Sequence, residues 1–156
     1  MLYVTEKCFV EKFEQMIAEG KAQLTLKDRH NSNKTIEIQC FIPHGTQYFE
    51  EGKKYYIYLY SGGTLAKKLG KRKIEIIDIR EKQTYASNYL ISGKVLQVRK
   101  HPDYKKDYLI VIDCGVLVNA RIGGDLNPKI GDYFQLDVRL DVHKVKRVGG
   151  EKRHEK

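Results

Sequence analysis

Apolar and polar residues alternate with a period of two along most of this chain. In "AQLTLKD" Ala22, Leu24 and Leu26 share one side, and in "TIEIQCFI" Ile36, Ile38, Cys40 and Ile42 do. Successive side chains of a strand point to opposite faces, so both segments are predicted as strands with one face on a core. Between them "RHNSNK" is a cluster of turn formers, which makes the pair a predicted hairpin. "GKKYYIYLYSGG" follows, bounded by glycines, and then "RKIEIIDIRE", a β-branched run bounded by charge. Four strands are therefore expected before Lys82. The segment "EKCFVEKFEQMIAEG" satisfies two templates, because Phe9, Phe13, Met16 and Ile17 fit a helical stripe while a bent first strand fits as well.

The polar stretch "EKQTYASN" reads as a linker, and after it the pattern starts again with "YLISGKVLQVRKH", "DYLIVIDCG", "VLVNARIGG" and "GDYFQLDVRLDVHKVKRV". The last has the clearest alternation: Phe134, Leu136, Val138, Leu140 and Val142 face one way, and Tyr133, Gln135, Asp137, Arg139, Asp141 and His143 the other. The two halves follow one plan. "AQLTLKD" corresponds to "YLIVIDC", "TIEIQCFIP" to "VLVNARIGG" and "EEGKKYYIYLY" to "PKIGDYFQLDV", with Gly52 and Tyr55 matched to Gly131 and Tyr133. Short strands returning at regular spacing predict a mainly β protein, either two small Greek-key barrels in tandem or a single β-sandwich. The expected units are an N-terminal β-barrel over 1–82, a second barrel over 88–148 and a charged tail over 149–156.

Composition narrows the partners. The 156 residues carry 29 Lys and Arg against 20 Asp and Glu, a formal charge of +9, which favours a polyanion such as nucleic acid. A basic balance also has a general use in keeping a protein soluble. The three cysteines, Cys8, Cys40 and Cys114, are far apart with no Cys-x-x-Cys pair, so neither a disulfide framework nor a zinc ribbon is expected. In "CFIPH" Cys40 and His44 are two possible ligands where a structural zinc takes four, so no metal and no cofactor is expected. No run of 18 apolar residues occurs, and the expectation is a cytoplasmic protein without a membrane partner.

Two basic runs are candidate phosphate contacts. "RKHPDYKK" places Arg99, Lys100, Lys105 and Lys106 around His101 and Tyr104 between two strands, combining charge with a stacking surface. The other reading is a solvated hairpin tip whose lysines discourage edge pairing. "AKKLGKRK" holds Lys67, Lys68, Lys71, Arg72 and Lys73 without an acid, as a solvated face or loop directly after the tyrosine strand. The stretch "ISGKVLQVRKHPDYKKDYLIVIDCG", with Gly93, Lys94, Val95, His101 and Pro102, resembles the opening of the OB-fold tRNA-binding domain attached to some aminoacyl-tRNA synthetases. That resemblance implies an OB-like barrel and nucleic acid as ligand. It ends at Gly115, where "VLVNARIGGDL" replaces the family's serine-glycine segment.

Four of the 11 tyrosines fall within residues 55–60. In a strand Tyr56, Tyr58 and Tyr60 line one face, opposite Tyr55, Ile57 and Leu59. Such a row either seals an interface between the two halves, stacks on bases, or meets a protein partner. Tyr60, beside Gly62 and Gly63, is the member expected to be open. No phosphate-binding glycine loop, nucleophile elbow or metalloprotease histidine pair occurs, and Asp103, Asp107, Asp113 and Asp125 are scattered, so a non-enzyme is expected. The functional expectation is a protein that binds single-stranded DNA or RNA, or structured RNA, through basic loops and aromatic strand faces. The alternative is an interaction or assembly module that docks a protein partner or a second copy of itself through the tyrosine strand.

Overall fold

Every segment with two-residue alternation is a strand. The structure, a computed structural model, describes residues 3–16, 19–43, 47–62, 65–80 and 88–149. Ile17, His44, the linker residues 81–87 and tail residues 150–156 lie outside the described residues. The first half contributes β1 (Glu6–Gln15), β2 (Gly20–Lys27), β3 (Thr35–Ile42), β4 (Lys54–Ser61), β5 (Leu65–Leu69) and β6 (Glu75–Asp78). The second contributes β7 (Asn88–Lys100), β8 (Asp107–Asp113), β9 (Leu117–Gly123), β10 (Tyr133–Arg139) and β11 (Asp141–Arg147), with a 3-10 turn at Gly124–Leu126 after β9.

The "EKCFVEKFEQ" segment is strand, not helix, and it is bent: its register shifts between Val10 and Lys12. Before that bulge β1 pairs with β4 (Glu6–Phe9), and it pairs with β2 from Cys8 to Gln15. A bulge raises local twist, which lets one strand serve two neighbours at a barrel seam. β7 does the same in the second half, pairing with β10 through Asn88–Lys94 and with β8 through Lys94–Lys100, with its own shift between Val95 and Gln97.

The two bulges are built alike. Val10 donates its N–H to Lys53 and accepts from Gly52 at 2.9 and 2.8 Å; Val95 donates to Asp132 and accepts from Gly131 at 2.8 and 2.9 Å. Gly52 and Gly131 both take positive φ, 82° and 97°, where a side chain would be strained. The repeated plan is thus repeated in hydrogen bonds. It sets Tyr55 against Phe134, both buried, one position away from the Tyr133 match expected from the aromatic pattern.

Pairing crosses between the halves. β1, β2, β3, β11 and β4 follow one another in the sheet and β4 pairs back to β1, so the first barrel is a closed ring whose fifth member is β11. In return the end of β4 (Leu59–Ser61) runs parallel to β9, and β5 pairs antiparallel with β10. The fifth strand of each OB-like barrel is supplied by the other half. The long alternating segment "GDYFQLDVRLDVHKVKRV" is accordingly two strands that meet at Leu140, with Phe134, Leu136, Val138, Leu140 and Val142 all buried as its period requires. One core runs through both barrels, from Leu24, Ile38 and Ile57 to Ile91, Ile112 and Phe134.

Six strands, not four, precede residue 81 among the described residues. β5 is the one the pattern conceals, since "LAKKL" has a lysine-rich exposed surface and becomes a strand because β10 offers it an edge. Gly93 marks a tight point: a Cβ there would lie 2.2 Å from the Asp113 carbonyl oxygen, where β7, β8 and β10 converge. Gly93→Ala is expected to cost about 3 kcal/mol or more, because backbone rather than a side-chain tip would have to shift. Urea unfolding of the variant beside the parent protein measures it.

Candidate nucleic-acid interface

β4 alternates cleanly. Tyr55, Ile57, Leu59 and Ser61 are buried, and Tyr56, Tyr58 and Tyr60 stand half-buried on the outer face. Each outer tyrosine has neighbours set by register. Tyr56 lies opposite Lys7 of β1 and, beyond the bulge of β11, opposite Lys146, whose Nζ is 5.5 Å from the ring centroid. Tyr58 lies opposite His143 and is sandwiched between two rings: Tyr3 at 4.6 Å and 10°, His143 at 4.7 Å and 7°. Tyr60 lies between Asp141 and Asn119 and meets Tyr3 edge-on at 5.4 Å. Burial, and then the neighbouring Tyr3 phenol, push the Tyr58 and Tyr60 hydroxyls above their usual pKa, so both remain neutral donors at physiological pH.

Tyr3 is held there by Asn119. This wholly buried carboxamide accepts the Val4 N–H at 2.9 Å and donates to the Val4 and Leu59 carbonyls at 3.0 Å. Residues 3–6 are thereby strapped over β9, and Glu6 at the strap's end accepts the Leu117 N–H at 2.9 Å. Burial raises the Glu6 carboxyl from 4.5 to about 7, outweighing the Leu117 bond and Arg29, which lower it.

Beyond Tyr60 on the same side, the Arg121 guanidinium stacks on Tyr104 at 3.5 Å and is paired with Asp107 at 2.6 Å. His101 is buried and accepts the backbone N–H groups of Asp103 and Tyr104 at 3.1 and 3.3 Å, which shapes the β7–β8 turn and presents Tyr104. Lys100, Lys105 and Lys106 are exposed around that turn and Arg99 is half-buried. The second basic run is elsewhere. Lys67 and Lys68 sit on β5, Lys68 paired with Asp132 at 3.3 Å; Lys71 and Arg72 are exposed in the following bend; Lys73 pairs with Glu75 at 3.4 Å. Lys68 lies across from Phe134, and Phe134 from Gly93, seven residues along β7 from Lys100. At 3.3 Å per residue this separates the two runs by ~23 Å along the sheet.

The aromatic row and the "RKHPDYKK" turn therefore adjoin, and the "AKKLGKRK" run does not join them. Tyr3, Lys7, Arg121 and Lys146 belong to the same surface and were not singled out by pattern. Their signal is register, which the two-residue period does not carry; His143 alone stood in the outward set of an alternating strand. Cys40 is wholly buried in the first barrel, which holds its thiol well above the usual range. Of the scattered acids, Asp107 binds Arg121, and the buried Asp113 binds His30 at 3.0 Å and Arg29 at 3.3 Å. No group of three potential metal ligands occurs among the described residues.

No protein-family model matches the chain, and no curated protein does. Among solved structures it is similar to the cytoplasmic molybdate-binding protein ModG, in a crystal form with molybdate bound. The TM-score is 0.49 and the identity 8%, over 89% of this chain and 94% of that one.

Glu6 makes the strap pH-sensitive. Between pH 4.5 and about 7 the folded protein keeps a proton that the unfolded chain has released, so this group's contribution is full below 4.5 and is lost as pH rises to about 7. The loss amounts to roughly 3 kcal/mol. Glu6→Gln keeps an acceptor for Leu117 without a charge, and is expected to raise the melting temperature relative to the parent at pH 8 and not at pH 4.5. Thermal melts at the two pH values check the sign.

Proposed function

We propose that this chain binds single-stranded nucleic acid, DNA or RNA, without catalysing a reaction on it, and that the outer face of β4 is its platform. The observation that carries this reading is the interleaving of rings with cations: Lys7, Tyr56 and Lys146 in one row, Tyr3, Tyr58 and His143 in the next, then Tyr60 leading to Arg121 on Tyr104. Binders of single strands combine base stacking on aromatics with a basic track for the backbone. Tyr58, covered on both ring faces, acts as a spacer that keeps the array flat. Tyr60, met by Tyr3 only edge-on, is the surface offered to a base. Lys100, Lys105 and Lys106 extend the positive track past Tyr104.

A second reading, docking of a protein partner on the same strand, has one observation in its favour. The stacked Tyr3, Tyr58 and His143 rings form a ready-packed amphipathic surface of the type enriched in protein interfaces.

Fluorescence anisotropy with labelled single-stranded DNA, RNA and duplex across a salt series tests the proposal. Log affinity should fall linearly with log salt, and converting Lys105 and Lys106 to alanine should make the slope shallower by about 1 to 2. Tyr60→Leu should weaken binding by about 1 to 3 kcal/mol, with an unchanged melting temperature. Absence of binding to any of the three probes at low salt would sink the proposal and leave the docking reading.

A further inference from the structure

Among the described residues two further strand edges, of β3 and β6, flank one cleft without pairing with each other. β3 is joined to β2 along its length, but on its second edge β11 meets it only at Phe41. Among the described residues β6 has one strand neighbour, β7. Between β3 and β6 lies a cleft of about 390 Å³, floored by Ile36, Ile74, Ile76 and Cys114 and walled by carboxylates.

The backbone of β3 is directed into this cleft. The Phe41 N–H goes to the Leu140 carbonyl and the Gln39 N–H to the Tyr89 hydroxyl at 2.8 Å, so alternate residues of β3 turn their main-chain groups away from β2. Glu37 and Thr35 continue that series, and among the described residues nothing accepts their N–H groups. At Gln39 a tyrosine hydroxyl stands where a neighbouring strand's carbonyl would be. Among the described residues the edge is open toward Thr35. An unpaired edge of this kind is a template for an added strand.

The charge of the walls says what kind of strand. Asp28, Glu37, Glu75 and Asp78 line the cleft against Arg72 and His30, the latter engaged by Asp113 at 3.0 Å, in a chain of net charge +9. Glu75 is paired with Lys73, and Asp78 with Arg80 at 2.6 Å. Asp28 and Glu37 have no cationic partner among the described residues; Asp28 accepts the His30 N–H and Glu37 a Gln23 amide N–H. These acids repel phosphate, so the cleft is distinct from the β4 face and does not depend on the nucleic-acid reading.

We propose that the cleft between β3 and β6 is a docking site for an extended peptide with alternating basic and apolar side chains. The peptide adds a strand along the Thr35–Glu37 edge, its apolar residues on the isoleucine floor and its cations toward Asp28 and Glu37. A blocked, fluorescein-labelled peptide of alternating arginine and valine is the probe, titrated into the full-length protein. Saturable binding is expected, weakened about tenfold by Glu37→Lys, which is exposed and leaves the core unchanged. Thr35→Pro removes one inward N–H without touching the β2 hydrogen bonds, and should weaken binding as well. The same peptide N-methylated at alternate residues tests the backbone requirement on the unaltered protein, so the outcome does not hinge on the folding of a variant. Loss of binding on N-methylation supports strand addition. Equal binding of the methylated peptide, or of a glutamate-valine peptide, would overturn the proposal, as would displacement of the probe by single-stranded DNA.

Discussion

A strand edge must be paired or defended, and this structure is organised around that constraint. Each half of the chain makes four strands of a barrel and leaves a seam that only a fifth can close. The closing strand arrives by continuation of the other half's fourth strand, β4 into β5 and β10 into β11. Because β4 is at once the fourth strand of one ring and, at its end, a neighbour of β9 in the other, neither ring closes alone. The continuous core and the placement of the tyrosines follow from this. Tyr60 is next to Asn119 only because β4 reaches the second barrel.

The sequence made the strands and their faces legible and left their partners hidden. Alternation identified the buried sides of β2, β3, β4 and β10–β11 because each has one face on a core, and a one-residue slip would expose the whole set. The Gly52 and Gly131 turns were readable as equivalent because both require a positive φ beside a bulge. β5 was obscured, since three apolar residues and two lysines carry no strand signal without β10 beside them. The candidate site was half legible. Tyr56, Tyr58 and Tyr60 announce themselves, whereas Tyr3 lies outside any periodic element and reaches Tyr58 through a buried asparagine more than a hundred residues away in sequence. The β3–β6 cleft left no trace in the pattern, because it is made by what does not pair.

Charge is divided by location. Cations crowd the outer face near β4 and the β7–β8 turn, while the acids are held at fixed structural posts: Asp113 binds Arg29 and His30 from the first barrel, and Asp107 holds Arg121 flat on Tyr104. At these two posts a carboxylate fastens one element to another. A net positive balance therefore coexists with the acids that line the β3–β6 cleft.

Strand exchange also sets an order of events during synthesis. Asp141, where β11 begins, follows Ser61 by 80 residues (141 − 61). At translation rates of about 5 to 20 residues per second, the first four strands wait roughly 4 to 16 s for the strand that closes their ring. During that interval the β3 and β4 edges are bare, and the contacts that finally cover them are among the most distant in the chain, which slows folding. Two nascent copies on one messenger present each other with the same missing strand. The exchange that joins the two barrels within one molecule is thus equally available between molecules, and the short Leu140 connection between β10 and β11 is the hinge on which that choice turns.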